Sequence, residues 1–198
     1  MRETEPETGI IFLPGLCFCD IMPCSSLRRI FFCPFYSSFT EMQMPMIFVS
    51  KCLVGSRCRY DGGTNLVPAV RALVDQGLAV AACPEELGGL PTPRIPSECC
   101  GERVRNREGT DVTAEFKAGA KAALQIAQEN GCETAILKAR SPSCGKGCIY
   151  DGHFCKKLTA GNGVTAELFL RNGIEVLTEE EYLPDCKEIC SSRAFSVC

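Results

Sequence analysis

The stretch TAEFKAGAKAALQIAQENGCETAILK, residues 113–138, decides the fold. Phe116, Ala120, Ala123, Leu124 and Ala127 fall at helical spacing and form one apolar face, which predicts a helix over Thr113–Asn130. Asp111 or Thr113 can cap its start, and Gly131 stops it. The short apolar run Thr134–Lys138 then reads as a buried strand. The same unit recurs on both sides. Upstream lie a strand at Ile47–Lys51, a helix over Asn65–Gln76 ending at Gly77, and a strand at Ala79–Cys83. Downstream lie a helix over Val164–Asn172, stopped by Gly173, and a strand at Ile174–Thr178. Strands alternating with helices are the signature of a parallel sheet, so the expected fold is α/β: a small Rossmann-like sandwich with a mostly parallel four-stranded sheet.

The 198 residues suit one domain plus tails. Residues 1–45 hold Pro6, Pro14, Pro23, Pro34 and Pro45 and keep no period of 2 or 3.6, so they read as an extension outside the domain of residues 46–183. A loose tail is expected over residues 184–198. A net charge of −3 offers no footprint for a nucleic-acid backbone or an anionic membrane. No apolar run reaches the 18 or so residues of a spanning helix. The run GIIFLPGLCFC over 9–19 follows Glu3, Glu5 and Glu7, the wrong charge for a secretion signal. Sixteen cysteines border on a secreted disulfide scaffold, but such scaffolds are small domains without a core. A reducing cytoplasm and metal-binding thiols fit this chain better.

Cys52, Cys83 and Cys144 each follow a predicted strand, at or shortly beyond its end. The strand C-termini of a parallel sheet open onto one edge, where ligands bind. Three thiolates and a single histidine suit an iron–sulfur cluster that leaves one iron without a protein ligand. Such an iron can take a substrate atom, which points to an enzyme.

Chemistry-bearing residues surround these positions. In CPEELGGLPTPR, residues 83–94, proline forces an extended exit from the strand, and Glu85 or Glu86 could act as a general base beside the metal. Ser141 and Ser143 place two hydroxyls next to Cys144, for substrate or for turn chemistry. The segment from Cys52 to Cys58-Arg-Tyr60-Asp61-Gly62 is echoed by Cys144 to Cys148-Ile-Tyr150-Asp151-Gly152, either as two similar turns or as two loops over one site. GNGVTA, residues 161–166, matches a dinucleotide fingerprint but lacks the apolar strand before it. It reads as a helix N-terminus able to hold an anionic group. CLVGSR after the first strand is similar to the phosphate loop of low-molecular-weight tyrosine phosphatases. That loop needs five residues between Cys and Arg; Arg57 follows Cys52 after four and Arg59 after six, which leaves a phosphatase using Cys52 as a distant rival. Cys132 reads as core packing and His153 as a surface residue.

Taken together, SKCLVG, CRYDGG, ACPEELGGLPTPR, GTDVTAEFKAGA, AILKARSPSCG, IYDGHF and GNGVTAELFLRNGIEV resemble one family, the bacterial domain of unknown function 523, which includes thiouracil desulfidase. The resemblance runs from about Met46 to Leu183. It implies a Rossmann-like fold and a [4Fe-4S] cluster held by Cys52, Cys83 and Cys144. The implied reaction is non-redox desulfuration of a small thiolated base such as 2-thiouracil, with Glu85, Ser141 and Ser143 as the catalytic candidates. The competing class is a cysteine-ligated iron–sulfur or zinc protein with a sensing role, which a fourth thiolate such as Cys58 or Cys148 would favour by closing the site.

Overall fold

The structure, a computed structural model, describes residues 45–183. The expected extension, apart from Pro45, and the expected tail lie outside those residues.

Four strands form one sheet: β1 (Ile47–Ser50), β2 (Ala79–Ala82), β5 (Thr134–Leu137) and β8 (Glu175–Thr178). Their order is β2-β1-β5-β8 and every pairing is parallel, with Ile47 opposite both Ala79 and Thr134, and Thr134 opposite Glu175. Alternation along each strand divides the core between the two faces of the sheet. Phe48, Ala135 and Leu137 face α3 (Thr113–Glu129) and α4 (Val164–Arg171), packing with Ala123, Ala127, Ala166 and Phe169. Val49 and Ile136 face the other way, with Val70 of α1 (Pro68–Asp75). Phe48 and Phe169 meet edge to face at 5.0 Å, both fully buried, each contributing about 1.5–3 kcal/mol of burial.

Each predicted helix and strand of this sandwich is present. Helix α1 starts at Pro68 rather than at Asn65. Proline favours the first helical position and disfavours helical backbone just before itself, so Val67 stays extended. At the start of α3 the Asp111 carboxylate accepts the Thr113 N–H at 2.9 Å, whereas the Thr113 hydroxyl accepts the N–H of Val104.

The long stretches read as loops carry structure of their own. After β2 come α2 (Pro84–Leu87) and an antiparallel hairpin of β3 (Ser97–Cys100) and β4 (Arg103–Asn106). A second hairpin pairs β6 (Cys148–Tyr150) with β7 (Leu158–Ala160), and α5 (Glu179–Tyr182) follows β8. Among the described residues no helix is long and apolar enough to cross a membrane.

Candidate metal and desulfuration site

Three loops leave the C-terminal edge of the sheet, and each is seated differently. After β1 the chain makes a 3-10 turn over Lys51–Val54 that buries Leu53 and Val54. The Cys52 carbonyl is pinned by the N–H groups of Gly55 and Asn65. After β2, Cys83 takes extended backbone and Pro84 opens α2. This short helix lies directly on α3. A Cβ on Gly119 would stand 1.8 Å from the Pro84 carbonyl oxygen, and one on Gly88 would stand 2.1 Å from that of Glu115. After β5, the Ser141 hydroxyl oxygen accepts the N–H groups of Ser143 (3.1 Å) and Cys144 (3.2 Å).

The start of α4 completes the third loop. The N–H groups of Gly163, Val164 and Thr165 donate to the carbonyls of Gly145, Pro142 and Ser143, and Ala166 also donates to Ser143. The expectation that GNGVTA offers free N–H groups to an anion is therefore corrected: these donors hold the Cys144 loop. Ion pairs from Lys138 to Glu179, Arg140 to Glu180 and Lys146 to Glu181 fasten the same loop to α5.

These loops enclose a cavity of about 400 Å³. Cys52, Cys58, Cys83 and Cys144 line it, with Glu85 and Ser141. Its wider wall carries Tyr60, Tyr150 and Phe154, and the cations Lys51, Arg59, Arg94, Arg107, Lys138, Arg140 and Lys156 outnumber the acids Glu85 and Glu98. The Cys58 and Cys83 sulfurs and the Glu86 carboxylate lie within 4.8 Å of one another. Glu86 is tied to Lys51 at 3.0 Å and lies off the cavity wall.

The thiols differ in acidity for local reasons. Cys83 is lowered to about 7, first because the Cys58 thiol donates to it and then because it accepts the N–H of Glu86. Cys52 is lowered as well, by hydrogen bonds from Cys58 and Asn65 against its own burial. Cys58 is the donor to both and is raised accordingly. Burial pushes the Cys144 thiol up; the Ser50 hydroxyl works against that, while Cys52 and Cys83 nearby add to it. A buried thiol of this kind becomes a thiolate when a metal replaces its proton. Sulfur donors from three loops with no imidazole among them fit an iron–sulfur cluster better than a hard cation.

The model of the family described as 2-thiouracil desulfurase matches residues 47–181. The chain belongs to this family. It is 43% identical over 146 residues to the uncharacterized protein YbbK of Bacillus subtilis (strain 168), a match spanning 69% of this chain and 97% of that one. A solved structure of the [4Fe-4S]-dependent thiouracil desulfidase TudS superposes with a TM-score of 0.68 at 46% identity, covering 74% of this chain and 98% of that one.

In this member of the 2-thiouracil desulfurase family, the residues singled out in the sequence divide cleanly. Cys52, Cys83, Cys144, Glu85 and Ser141 share the cavity. Ser143 is fully buried and bonds Thr165 at 2.9 Å, so its hydroxyl joins the loop to α4 and does not line the cavity. The echoed loops do fold over one site through Tyr60 and Tyr150, but Cys58 lines the cavity while Cys148 sits in β6 away from it. The Cys99 and Cys100 thiols donate to the carbonyls of Pro142 and Gly152, both at 3.3 Å, and dock the first hairpin on the third loop and on the turn of the second hairpin. Cys132 is core and His153 is exposed, as read. Two residues were missed. Arg94 is paired with Glu85 at 2.7 Å; its signal was a single cation closing a Pro-Thr-Pro loop. Phe154, in the turn of the second hairpin, lies under the Arg107 guanidinium that follows the first, 5.7 Å from its ring centre, and no sequence spacing announced it.

Proposed function

We propose that the chain hydrolyses the C=S group of a thiolated pyrimidine base such as 2-thiouracil to C=O, using a [4Fe-4S] cluster held by Cys52, Cys83 and Cys144. The observation that carries this is the convergence of three strand-end cysteines with Glu85 and Ser141 on one cavity. The family match and the likeness to TudS support it. The net reaction consumes water and releases hydrogen sulfide with no change of oxidation state. When bound, the cluster supplies a soft iron able to polarise the thiocarbonyl and accept its sulfur.

The protein's own groups do the rest. Glu85 takes the proton of the attacking water; it faces the cavity, whereas Glu86 is held aside by Lys51 and Thr92. The Ser141 oxygen already accepts two N–H groups, which leaves its own proton to donate to the base. Tyr60, Tyr150 and Phe154 offer aromatic surface to a flat heterocycle. The described cysteines are all free thiols, in keeping with a reducing cytoplasm.

One observation favours a second reading. Cys58 is almost fully buried beside Cys52 and Cys83, and a fourth thiolate ligand would close the site and suit sensing. Iron and sulfide analysis of the anaerobically purified chain, with and without Cys58→Ser, separates the readings. Under the proposal Cys58 is a hydrogen-bond donor, and the variant keeps its iron and turns 2-thiouracil into uracil. Loss of iron as complete as in Cys52→Ser would favour the closed site, and stoichiometric zinc without iron would remove the cluster altogether.

A further inference from the structure

We infer that Arg94 is a positioning residue for this hydrolysis: it grips one oxygen of Glu85 and leaves the other to face the water. The inference rests on the reading above that Glu85 is the base. The Arg94 side chain is only 7% exposed and that of Glu85 16%, so this is a buried pair and not a surface ion pair. Both Nε and Nη2 approach the same carboxylate oxygen, Oε2, at 2.7 Å. Among the described residues Oε1 has no hydrogen-bond donor, and it is not one of the sealed-off atoms.

The rest of the guanidinium is fixed too. Nη1 donates to the Thr92 hydroxyl at 3.0 Å and the Pro91 carbonyl at 3.3 Å, while Nη2 also reaches the Cys58 carbonyl at 3.0 Å. The Arg94 backbone N–H donates to the Tyr60 carbonyl at 2.8 Å. One residue thus joins the loop that carries the base to the loop that carries Cys52, Cys58 and Tyr60. A planar fork with several fixed donors can do this; a single ammonium cannot. The consequence is a glutamate held in one rotamer before substrate arrives, with its free oxygen already placed.

The test compares the cluster-loaded full chain with Arg94→Ala, Arg94→Lys, Glu85→Gln and the double variant Arg94→Ala/Glu85→Gln, using 2-thiouracil. Arg94→Ala should keep its iron and sulfide and hold KM nearly unchanged, while kcat falls on the order of 10–100-fold. Arg94→Lys should recover little of that loss. The double variant should be no slower than Glu85→Gln, because a residue acting through another adds nothing once that other is gone. Losses that multiply in the double variant would overturn the inference, as would an Arg94→Lys activity that falls only in proportion to its iron. If Arg94→Ala does not load iron, the same comparison on Arg94→Lys decides. Glu85→Gln at full rate would instead refute the assignment of the base, and a loaded wild-type chain without turnover would refute the desulfidase reading itself.

Discussion

Replacing Gly119 by alanine tests whether the loop that carries Cys83 and Glu85 is placed by backbone contact. Helix α3 meets α2 where Gly119 faces Pro84, and the added Cβ would stand 1.8 Å from the Pro84 oxygen and 2.9 Å from the Gly88 nitrogen. Ordinary carbon–oxygen contact needs about 3.3 Å, so α2 must retreat by roughly 1.5 Å. Pro84 lies between Cys83 and Glu85, so both move with it. Overpacking of this kind costs about 1–3 kcal/mol, and alanine returns about 0.5–1 kcal/mol through its helix propensity. Urea unfolding should therefore show a net loss of about 1 kcal/mol, within a range of about 0–2.5 kcal/mol. Misplacing a catalytic group by about 1 Å can cost about 10² in rate, so kcat should fall far more than stability alone would suggest. Ala118→Ser, one position earlier and exposed, should change stability by no more than about 0.5 kcal/mol and leave kcat alone. A Gly119→Ala chain as stable and as fast as wild type would refute the claim that this contact sets the site.

Ser143→Ala and Ser141→Ala should separate a hydroxyl buried off the cavity from one that lines it. The first removes a buried partner of Thr165 and should cost about 1–3 kcal/mol in urea unfolding with turnover kept, while the second should lower kcat. At α5 the Thr178 hydroxyl accepts the Glu181 N–H and the Glu181 carboxylate accepts that of Thr178; Thr178→Ala should cost about 1 kcal/mol at neutral pH. Glu181 is held below the usual carboxylate range, first by the Thr178 N–H and then by Lys146. Its contribution is therefore present above the usual glutamate range and lost as pH falls through the depressed value. The lead of wild type over Glu181→Gln in urea midpoint should shrink on acidification below about pH 4; a constant lead would show that the ionisation of Glu181 adds nothing.

The sandwich was legible because α3 is long enough to show its period, and because glycine punctuates the helix ends at positions 77, 131 and 173. The hairpins were not. In β4 the sequence Arg103-Val-Arg-Asn106 offers Val104 as its one apolar side chain, and four residues are too few to display an alternation. What makes it a strand is distant packing of Val104 on Val112 and Phe116. The strand-end argument could place Cys52, Cys83 and Cys144 at one cavity because topology alone brings strand C-termini together. It could not rank Cys58, which arrives through the course of a loop. The free-donor reading of GNGVTA failed for a related reason. The carbonyls that use those donors belong to Pro142, Ser143 and Gly145, some twenty residues upstream, and their approach is set by the third loop's own turn.

That turn links the precision of the site to its sequence. A Cβ on Gly163 would lie 2.5 Å from the Ser143 carbonyl group, so glycine is what lets α4 dock against the Cys144 loop. Gly88 and Gly119 do the same for the Cys83 loop, and Asn65 pins the Cys52 carbonyl of the first. In each case a cavity-lining cysteine proposed as a ligand is placed by main-chain contacts rather than by its own packing. Side-chain rotamers can adjust by an ångström at little cost; close-packed backbone cannot. A cluster needs its thiolates in fixed relation before it binds, and loops seated this way supply it. The glycines of AEFKAGA and GNGVTA, far from the cysteines in sequence, are thus as much a part of the metal site as the sulfur atoms.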